Sequence, residues 1–312
     1  MLTINGPIEE IEKIFYKAMN EIPDGDIGVA VSGGGDSVAL LSLSAEWASI
    51  KQRRIIAATV DHGLRSNSVL ECKAVKKIAT SFGVNHSTLK WLESPKGNVQ
   101  NSARNARHRL LKSWAMKNNL SVVLLGHTLD DNAETLMLRL IRGTGIDGLS
   151  GIAEKKSIYG LRMYRPMLNL TRGQLRSYLN SKGISWIEDP SNFDQRFDRI
   201  KIRTLLSKVH SSGLTSKKLV SVARHISRAK NALNDNVLKV AVSKIKQKAW
   251  GDIEIFYNDF LNCSEEVQLR LLAAIFRWNS GKNYNPRFKS LANLREAIVN
   301  YEIRIKRPLM GS

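Results

Sequence analysis

Residues 27–42 read Ile27-Gly28-Val29-Ala30-Val31-Ser32-Gly33-Gly34-Gly35-Asp36-Ser37-Val38-Ala39-Leu40-Leu41-Ser42. The first five are a short apolar run of the kind that fills a buried parallel strand. From Val38 onward apolar residues recur at helical spacing. The six residues between, 32–37, therefore sit on a strand-to-helix turn. Three glycines let the backbone take positive φ and let a ligand approach the main chain. The helix behind them offers free N–H groups and the positive end of its dipole, and Ser32 and Ser37 add hydroxyls. Together they make a cradle for an anion, foremost a phosphate. A merely structural Gly-rich turn with serine caps has no need of an acid. Asp36 would repel phosphate unless a metal lay between them.

The loop is not a Walker A loop, because no lysine follows the glycines. Its pattern, S-G-G-x-D-S, resembles the pyrophosphate loop of the N-type ATP pyrophosphatases. The resemblance implies cleavage of ATP between its α- and β-phosphates and adenylation of an oxygen on a substrate.

Working outward, residues 8–19 carry a helical stripe, and Pro23-Asp24-Gly25 ends it. Residues 54–60, 85–91 and 121–125 read as further strands, with helices over 67–82 and 98–118 and a helix after 128. Strand and helix alternate four times, which predicts an α/β, doubly wound parallel sheet covered on both faces. Ligands of such sheets bind outside the carboxyl ends of the strands. Three polar clusters fall there: residues 32–37, Asp61-His62-Gly63-Leu64-Arg65, and Gly126-His127-Thr128-Leu129-Asp130-Asp131-Asn132-Ala133-Glu134. They can meet at one site although about a hundred residues separate them. Gly143-Thr144-Gly145-Ile146-Asp147-Gly148 fits G-x-G-x-x-G but follows a helix, so it is read as a tight turn needing positive φ rather than a dinucleotide site. Residues 158–168 predict a hairpin or edge strand, 170–182 a helix, 215–249 a long basic helix, 253–257 a strand, and 265–278 and 286–300 helices.

At 312 residues the chain has room for two domains: a catalytic domain over 1–212 and a mainly helical, basic domain over 213–312, with Ser211-Ser212-Gly213 as linker. No apolar stretch approaches a membrane span and no signal peptide is visible. Cys72 and Cys263 suggest neither a disulfide framework nor a zinc site, so a cytoplasmic setting is expected. The net charge of +20 is lopsided. Residues 1–150 hold 18 Lys/Arg against 15 Asp/Glu, whereas residues 151–312 hold 30 against 13. That asymmetry marks a half built to meet a polyanion.

Several pieces together resemble the tRNA(Ile)-lysidine synthases. They are residues 32–37, Val60 through Arg65, Ala103-Arg104-Asn105-Ala106-Arg107, Gly126-His127 with Asp131 and Glu134-Thr135, residues 139–151, Arg165-Pro166-Met167-Leu168, and Asp189-Pro190-Ser191-Asn192. They stand in the family's order and roughly its spacing over residues 25–205. The chain departs from the pattern at Thr128, where a second histidine is usual, at Asn132 for glutamine, and at Ile200 after Arg199. The resemblance implies ligation of free L-lysine to C2 of the wobble cytidine of tRNA(Ile) with a CAU anticodon, with ATP and Mg²⁺. It implies ATP contacts at Ser32, Gly33, Gly34, Gly35, Asp36, Ser37, Asp61, His62 and Gly126. Catalytic roles fall to Asp36, His127, Asp131, Glu134 and Arg107, and metal contacts to Asp36 and Asp131. Arg199, Arg203, Lys217, Lys218, Arg224 and Arg228 are candidates for tRNA. A homodimer stays open.

The chemistry has a rationale. The C2 carbonyl of cytosine is urea-like and a poor electrophile, and transfer of AMP to its oxygen makes that oxygen a leaving group. The lysine ε-amine, with an ordinary pKa near 10.4, is neutral in well under about 1% of molecules at pH 7. A carboxylate that holds the ammonium and then takes a proton helps. Asp131 and Glu134, three apart on a helix, share a face, although acids at a helix start also arise on dipole grounds alone. The nearest rival is a tRNA thiolase of the same superfamily, which commonly uses paired cysteines; no C-x-x-C is present. A small-molecule synthetase would have no use for so basic a half. A basic RNA-binding protein with a dead nucleotide fold would not keep the loop intact.

Overall fold

The computed structural model describes residues 6–63, 68–92, 99–188, 198–248, 251–281 and 286–300. Leu64, Arg65 and the Asp189-Pro190-Ser191-Asn192 motif lie outside the described residues. The chain runs α1 (Gly6–Met19), β1 (Asp26–Ala30), α2 (Gly35–Ile50), β2 (Ile55–Asp61), α3 (Ser68–Ser81), β3 (Asn85–Lys90), α4 (Val99–Lys117), β4 (Leu120–Leu125) and α5 (Leu129–Ile141). It continues through α6 (Ile146–Leu149), β5 (Lys155–Ile158), β6 (Leu161–Tyr164), α7 (Arg172–Ser181), α8 (Asp198–Val209) and α9 (Ser216–Lys244). Last come β7 (Ile245–Gln247), β8 (Ile253–Ile255), α10 (Tyr257–Leu261), α11 (Glu265–Ser280) and α12 (Phe288–Val299).

The main sheet has the order β3-β2-β1-β4-β6-β5. All neighbours pair in parallel except β5, which closes the edge as an antiparallel hairpin with β6. The strand order reverses between β1 and β4, and that reversal opens a crevice at the carboxyl ends of the two strands. One face of the sheet is covered by α1, α2 and α7, whose Phe15, Met19, Leu40, Leu41 and Tyr178 are fully buried against Ile27 and Val29. Leu111 and Trp114 of α4 cover the other face against Val123 and Met163. α2 is buried nearly all round, which is why its sequence is apolar on every side. Its buried Ser42 hydroxyl is within 2.9 Å of Tyr178 Oη.

Residues 143–148 prove to be a left-handed Gly143 (φ 64°) followed by the single turn α6, not a nucleotide loop. The basic helix expected to run to residue 249 stops at Lys244. Ile245, Lys246 and Gln247 instead pair with Ile255, Glu254 and Ile253. Ile253-Glu254-Ile255 alternates apolar and polar as a strand does, and the two-stranded ribbon is closed where Gly251 N donates to Lys248 O. The chain divides into two compact units, residues 1–224 and 225–312. The expected boundary at 212/213 falls on a 3₁₀ turn ending at Gly213, between α8 and α9. The second unit has its own core of Phe260, Leu269, Leu272, Ala273 and Leu291.

Candidate active site

The loop after β1 is held open by Ser37. Its hydroxyl, on the first turn of α2, accepts from Ser32 N and Gly33 N, both at 3.1 Å, and donates to Gly34 O at 2.8 Å. Ser37 is therefore buried scaffold rather than a free phosphate ligand. Gly33 has φ 94°, and a Cβ there would lie 2.9 Å from both Val75 and Ile187. Ile187 N also donates to Gly33 O at 2.9 Å, pinning the loop from outside. No side chain caps α2, so its first N–H groups stay available to an anion. Gly126, at the end of β4, serves close packing. A Cβ there would lie 3.2 Å from Ser37 Cα and 3.4 Å from Asp36 C and O, so any larger residue would press on the loop backbone.

Across the crevice, Thr128 caps α5 in a reciprocal box. Its side chain accepts from Asp131 N, and Asp131 Oδ2 accepts from Thr128 N at 2.8 Å and Thr128 Oγ1 at 2.9 Å. The residue that departs from the family pattern is thus the helix cap. Asp131 and Glu134 emerge on one face and meet a residue the sequence reading missed, Arg172. Its Nε donates to Asp36 Oδ2 at 3.2 Å, its Nη2 to Asp131 Oδ1 at 3.1 Å and its Nη1 to Glu134 Oε1 at 3.1 Å. One guanidinium thus bridges three carboxylates, and its backbone N–H donates to Asp130 Oδ2 at 2.7 Å. Thr171 caps α7 with Gln174, and Leu129 N donates to Leu170 O, which fixes Arg172 in place. Arg203 of α8 adds a second cation, its Nε donating to Glu134 Oε1 at 3.0 Å. Glu134 Oε2 is buried without a partner.

The charges respond accordingly. Burial, with repulsion from Asp131, raises the Asp36 carboxyl above the ordinary carboxylate range despite Arg172. Burial would also raise Asp131, but Arg172, the Thr128 hydrogen bonds and His127 hold it below that range. Burial would lower Arg172; the three acids overcome it and raise its pKa. Hard carboxylate oxygens suit Mg²⁺, which is usually held by one or two carboxylates together with substrate phosphates. Asp36 Oδ1 takes no hydrogen bond among the described residues, so Asp36 fits such an ion. Asp131 has both oxygens engaged and would join only as Arg172 yields.

His127 lies beside the acids with a different surrounding. Burial first, then Arg165, lowers its imidazole to about 4 against the pull of Asp131, so it is neutral at pH 7. Its Nδ1 is buried without a partner. His108 of α4 is likewise lowered to about 4 by burial and Arg104. Asp61 Oδ1 accepts from Gly63 N at 2.9 Å, turning the chain at the end of β2. His62 packs edge-on against Trp91, its imidazole lowered by burial and by Arg107. Arg107 and Arg199 are exposed, as are Lys217, Lys218, Arg224 and Arg228. Arg224 donates to Asn169 Oδ1. Of the tRNA candidates, then, Arg203 alone reaches into the acidic cluster. The signal that could have flagged Arg172 is its place just after the Arg165-Pro166-Met167-Leu168 motif, at the first position of a capped helix.

Residues 7–210 match the family model of the PP-loop domain. The chain is 41% identical over 277 residues to the tRNA(Ile)-lysidine synthase of Ruegeria pomeroyi, an alignment covering 88% of this chain and 66% of that protein. With the tRNA(Ile)-lysidine synthase of Wolbachia pipientis it shares 35% over 307 residues, covering 97% of this chain and 71% of the relative. The chain belongs to the tRNA(Ile)-lysidine synthase family. It spans about two thirds of the length of these two relatives. Among solved structures, a U34-tRNA thiolase from Methanococcus maripaludis with its [4Fe-4S] cluster superposes with a TM-score of 0.61 at 17% identity, covering 72% of this chain and 78% of that one. That likeness is one of fold.

Proposed function

We propose that the chain ligates L-lysine to C2 of the wobble cytidine, position 34, of tRNA(Ile) with a CAU anticodon, by way of an adenylated cytidine, releasing AMP and pyrophosphate. The observation that carries this reading is the meeting of Asp36, from the phosphate loop, with Asp131 and Glu134 on one guanidinium. Phosphate chemistry and cation recognition share a site.

The loop and the uncapped start of α2 hold the leaving phosphates of ATP. Asp36 would hold Mg²⁺, which would supply positive charge to those phosphates. Neutral His127 stands ready to hydrogen-bond the reacting carbonyl region or take a proton. Asp131 and Glu134 accept the lysine ammonium in place of part of Arg172, and a carboxylate then takes the proton that frees the amine. Exchange of one cation for another leaves the charge balance of the buried acids unchanged. Residues beyond 212 form the tRNA-binding part, and the setting is the cytoplasm; among the described residues no helix is long and apolar enough to cross a membrane. A thiolase has less support. Cys72 and Cys263 fall in separate units, and neither sits among the residues gathered on Arg172.

The test mixes the protein with ATP, Mg²⁺, labelled lysine and unmodified tRNA and analyses nucleosides by mass. Lysidine with one AMP per turnover is expected. ADP and phosphate as products would overturn the reading.

A further inference from the structure

The Arg165-Pro166-Met167-Leu168 motif has no part in the chemistry above, yet its arginine stands out. Arg165 is only 5% exposed. Its Nη1 donates to Ala153 O at 2.6 Å, its Nε has no partner, and no carboxylate pairs with it among the described residues. Buried arginines are ordinarily paired, because an isolated charge out of water is strongly unfavourable. Leu124 and Tyr164 are opposite one another in the parallel β4–β6 register, so Arg165 and His127 leave the sheet at the same edge on adjacent strands. His127 also has a buried, unpartnered nitrogen. α4 runs back toward β4, which brings its first turns over the same edge. Arg104 there is exposed, has no acidic partner among the described residues, and bears electrostatically on both Arg165 and His127.

We propose that Arg165 and Arg104 form a phosphate site beside His127, which takes a phosphate of the substrate nucleotides. The proposal rests on the proposed function for the identity of those substrates. Two guanidinia without acids around them suit a phosphate better than a single carboxylate, since each fork can give two hydrogen bonds to phosphate oxygens. The phosphate has two sources, the nucleoside triphosphate or the RNA backbone next to the modified base.

The test uses the whole chain as Arg104→Gln, Arg165→Gln and Arg165→Lys. One arm measures ATP binding with Mg²⁺ and no RNA. A second measures binding of an unmodified CAU anticodon stem-loop across a salt series without ATP. A third measures the KM for lysine. Loss of a charged hydrogen bond predicts roughly tenfold or more weakening in one of the first two arms. Loss in the ATP arm assigns the site to the nucleotide. Loss in the RNA arm, with the slope of log K against log salt reduced by roughly 0.7–0.9 per arginine, assigns it to the backbone. Arg165→Lys should recover part of either loss. Arg104 is exposed, so Arg104→Gln decides the matter if Arg165→Gln does not fold. Both binding arms unchanged, or a change in lysine KM alone, overturns the proposal. A wild-type protein that makes no lysidine while the binding arms respond leaves the phosphate site standing and refutes the reaction instead.

Discussion

The same sheet edge carries two charged groups built on opposite plans. On one side Asp36, Asp131 and Glu134 are cross-paired through Arg172 and Arg203. On the other, Arg165, Arg104 and His127 face no acid of their own among the described residues beyond the pull of Asp131 on the imidazole. A largely compensated cluster, three carboxylates on two guanidinia, can trade one cation for another with little change in net charge, which suits a site for an ammonium or a metal ion. An uncompensated cluster is poised for an anion that arrives with the substrate. The difference separates residues that hold the site together from residues that wait for a ligand, and variants on each side should behave differently.

The largest effects belong to the acids at the reacting centre. Asp36→Asn and Asp131→Asn should each slow lysidine formation about 10²–10³-fold in single-turnover measurements, the usual consequence of removing one preorganised electrostatic group. The affinity for tRNA should stay near wild type. Wild-type turnover in either variant would break the assignment of that side to chemistry.

Next comes the bridge itself. Arg172 is 16% exposed, and its partners are 25%, 12% and 2% exposed, so its loss strands charge out of water. Arg172→Gln should destabilise the fold by about 3 kcal/mol in urea unfolding at pH 7. The deficit should shrink at pH 4, where carboxylates take up protons. A deficit independent of pH would mean that Arg172 acts by packing and not as counterion.

These residues also show what the sequence could reveal. The phosphate loop was legible because its strand, glycines and helix are contiguous. Asp131 and Glu134 were legible because a helix repeats every 3.6 residues. Arg172 was not, since it meets Asp36 across 136 residues, and its place after the Arg165-Pro166-Met167-Leu168 motif at a capped helix start marks the position without naming the acids it meets. Arg165 and His108 were hidden for a related reason: a missing partner is visible only once the neighbours are known. Gly126 was read as a nucleotide contact, and its backbone approach to Ser37 depends on the β1–β4 adjacency, which no short window contains.

A smaller effect probes the cationic side through pH. His127 and His108 are lowered to about 4 from an ordinary 6.5. Between those values the unfolded chain takes up protons that the folded chain refuses, so stability falls as pH drops from about 6.5 to about 4. This contribution levels off below. The slope is at most about 1.4 kcal/mol per pH unit for each histidine. Asp36, raised by burial, works in the opposite direction, so the comparison is best made against His108→Gln, which leaves the acids untouched. That variant should lose less stability between pH 6.5 and pH 4.5 than wild type. An identical pH dependence would show that His108 takes up its proton as readily in the folded chain as in the unfolded one, and that this edge is less cationic than its geometry indicates.

The smallest effect per residue is expected along α9. A CAU anticodon also occurs in methionine tRNA, so under the proposed reaction the modified base alone cannot mark the correct substrate, and the tRNA has to be read elsewhere as well. Lys217, Arg224 and Arg228 are exposed, and their seven- and four-residue spacing places them along one helical face, with Lys218 at its flank. Such residues meet phosphates and set register rather than read bases. Unlike Arg165 they are exposed, with a side-chain tie from Arg224 to Asn169, so replacing them should leave the fold nearly, and ATP binding and the lysine KM wholly, unchanged. Each phosphate contact steepens log K against log salt by roughly 0.7–0.9. Changing all four to alanine should therefore weaken tRNA binding and flatten that slope by up to about three units, whereas any one alone should shift it by less than about one. Measured across a salt series, an unchanged slope in the fourfold variant would mean that α9 carries only solvated charge. Recognition would then fall to the sheet edge, where Arg104 and Arg165 have no acidic partner among the described residues.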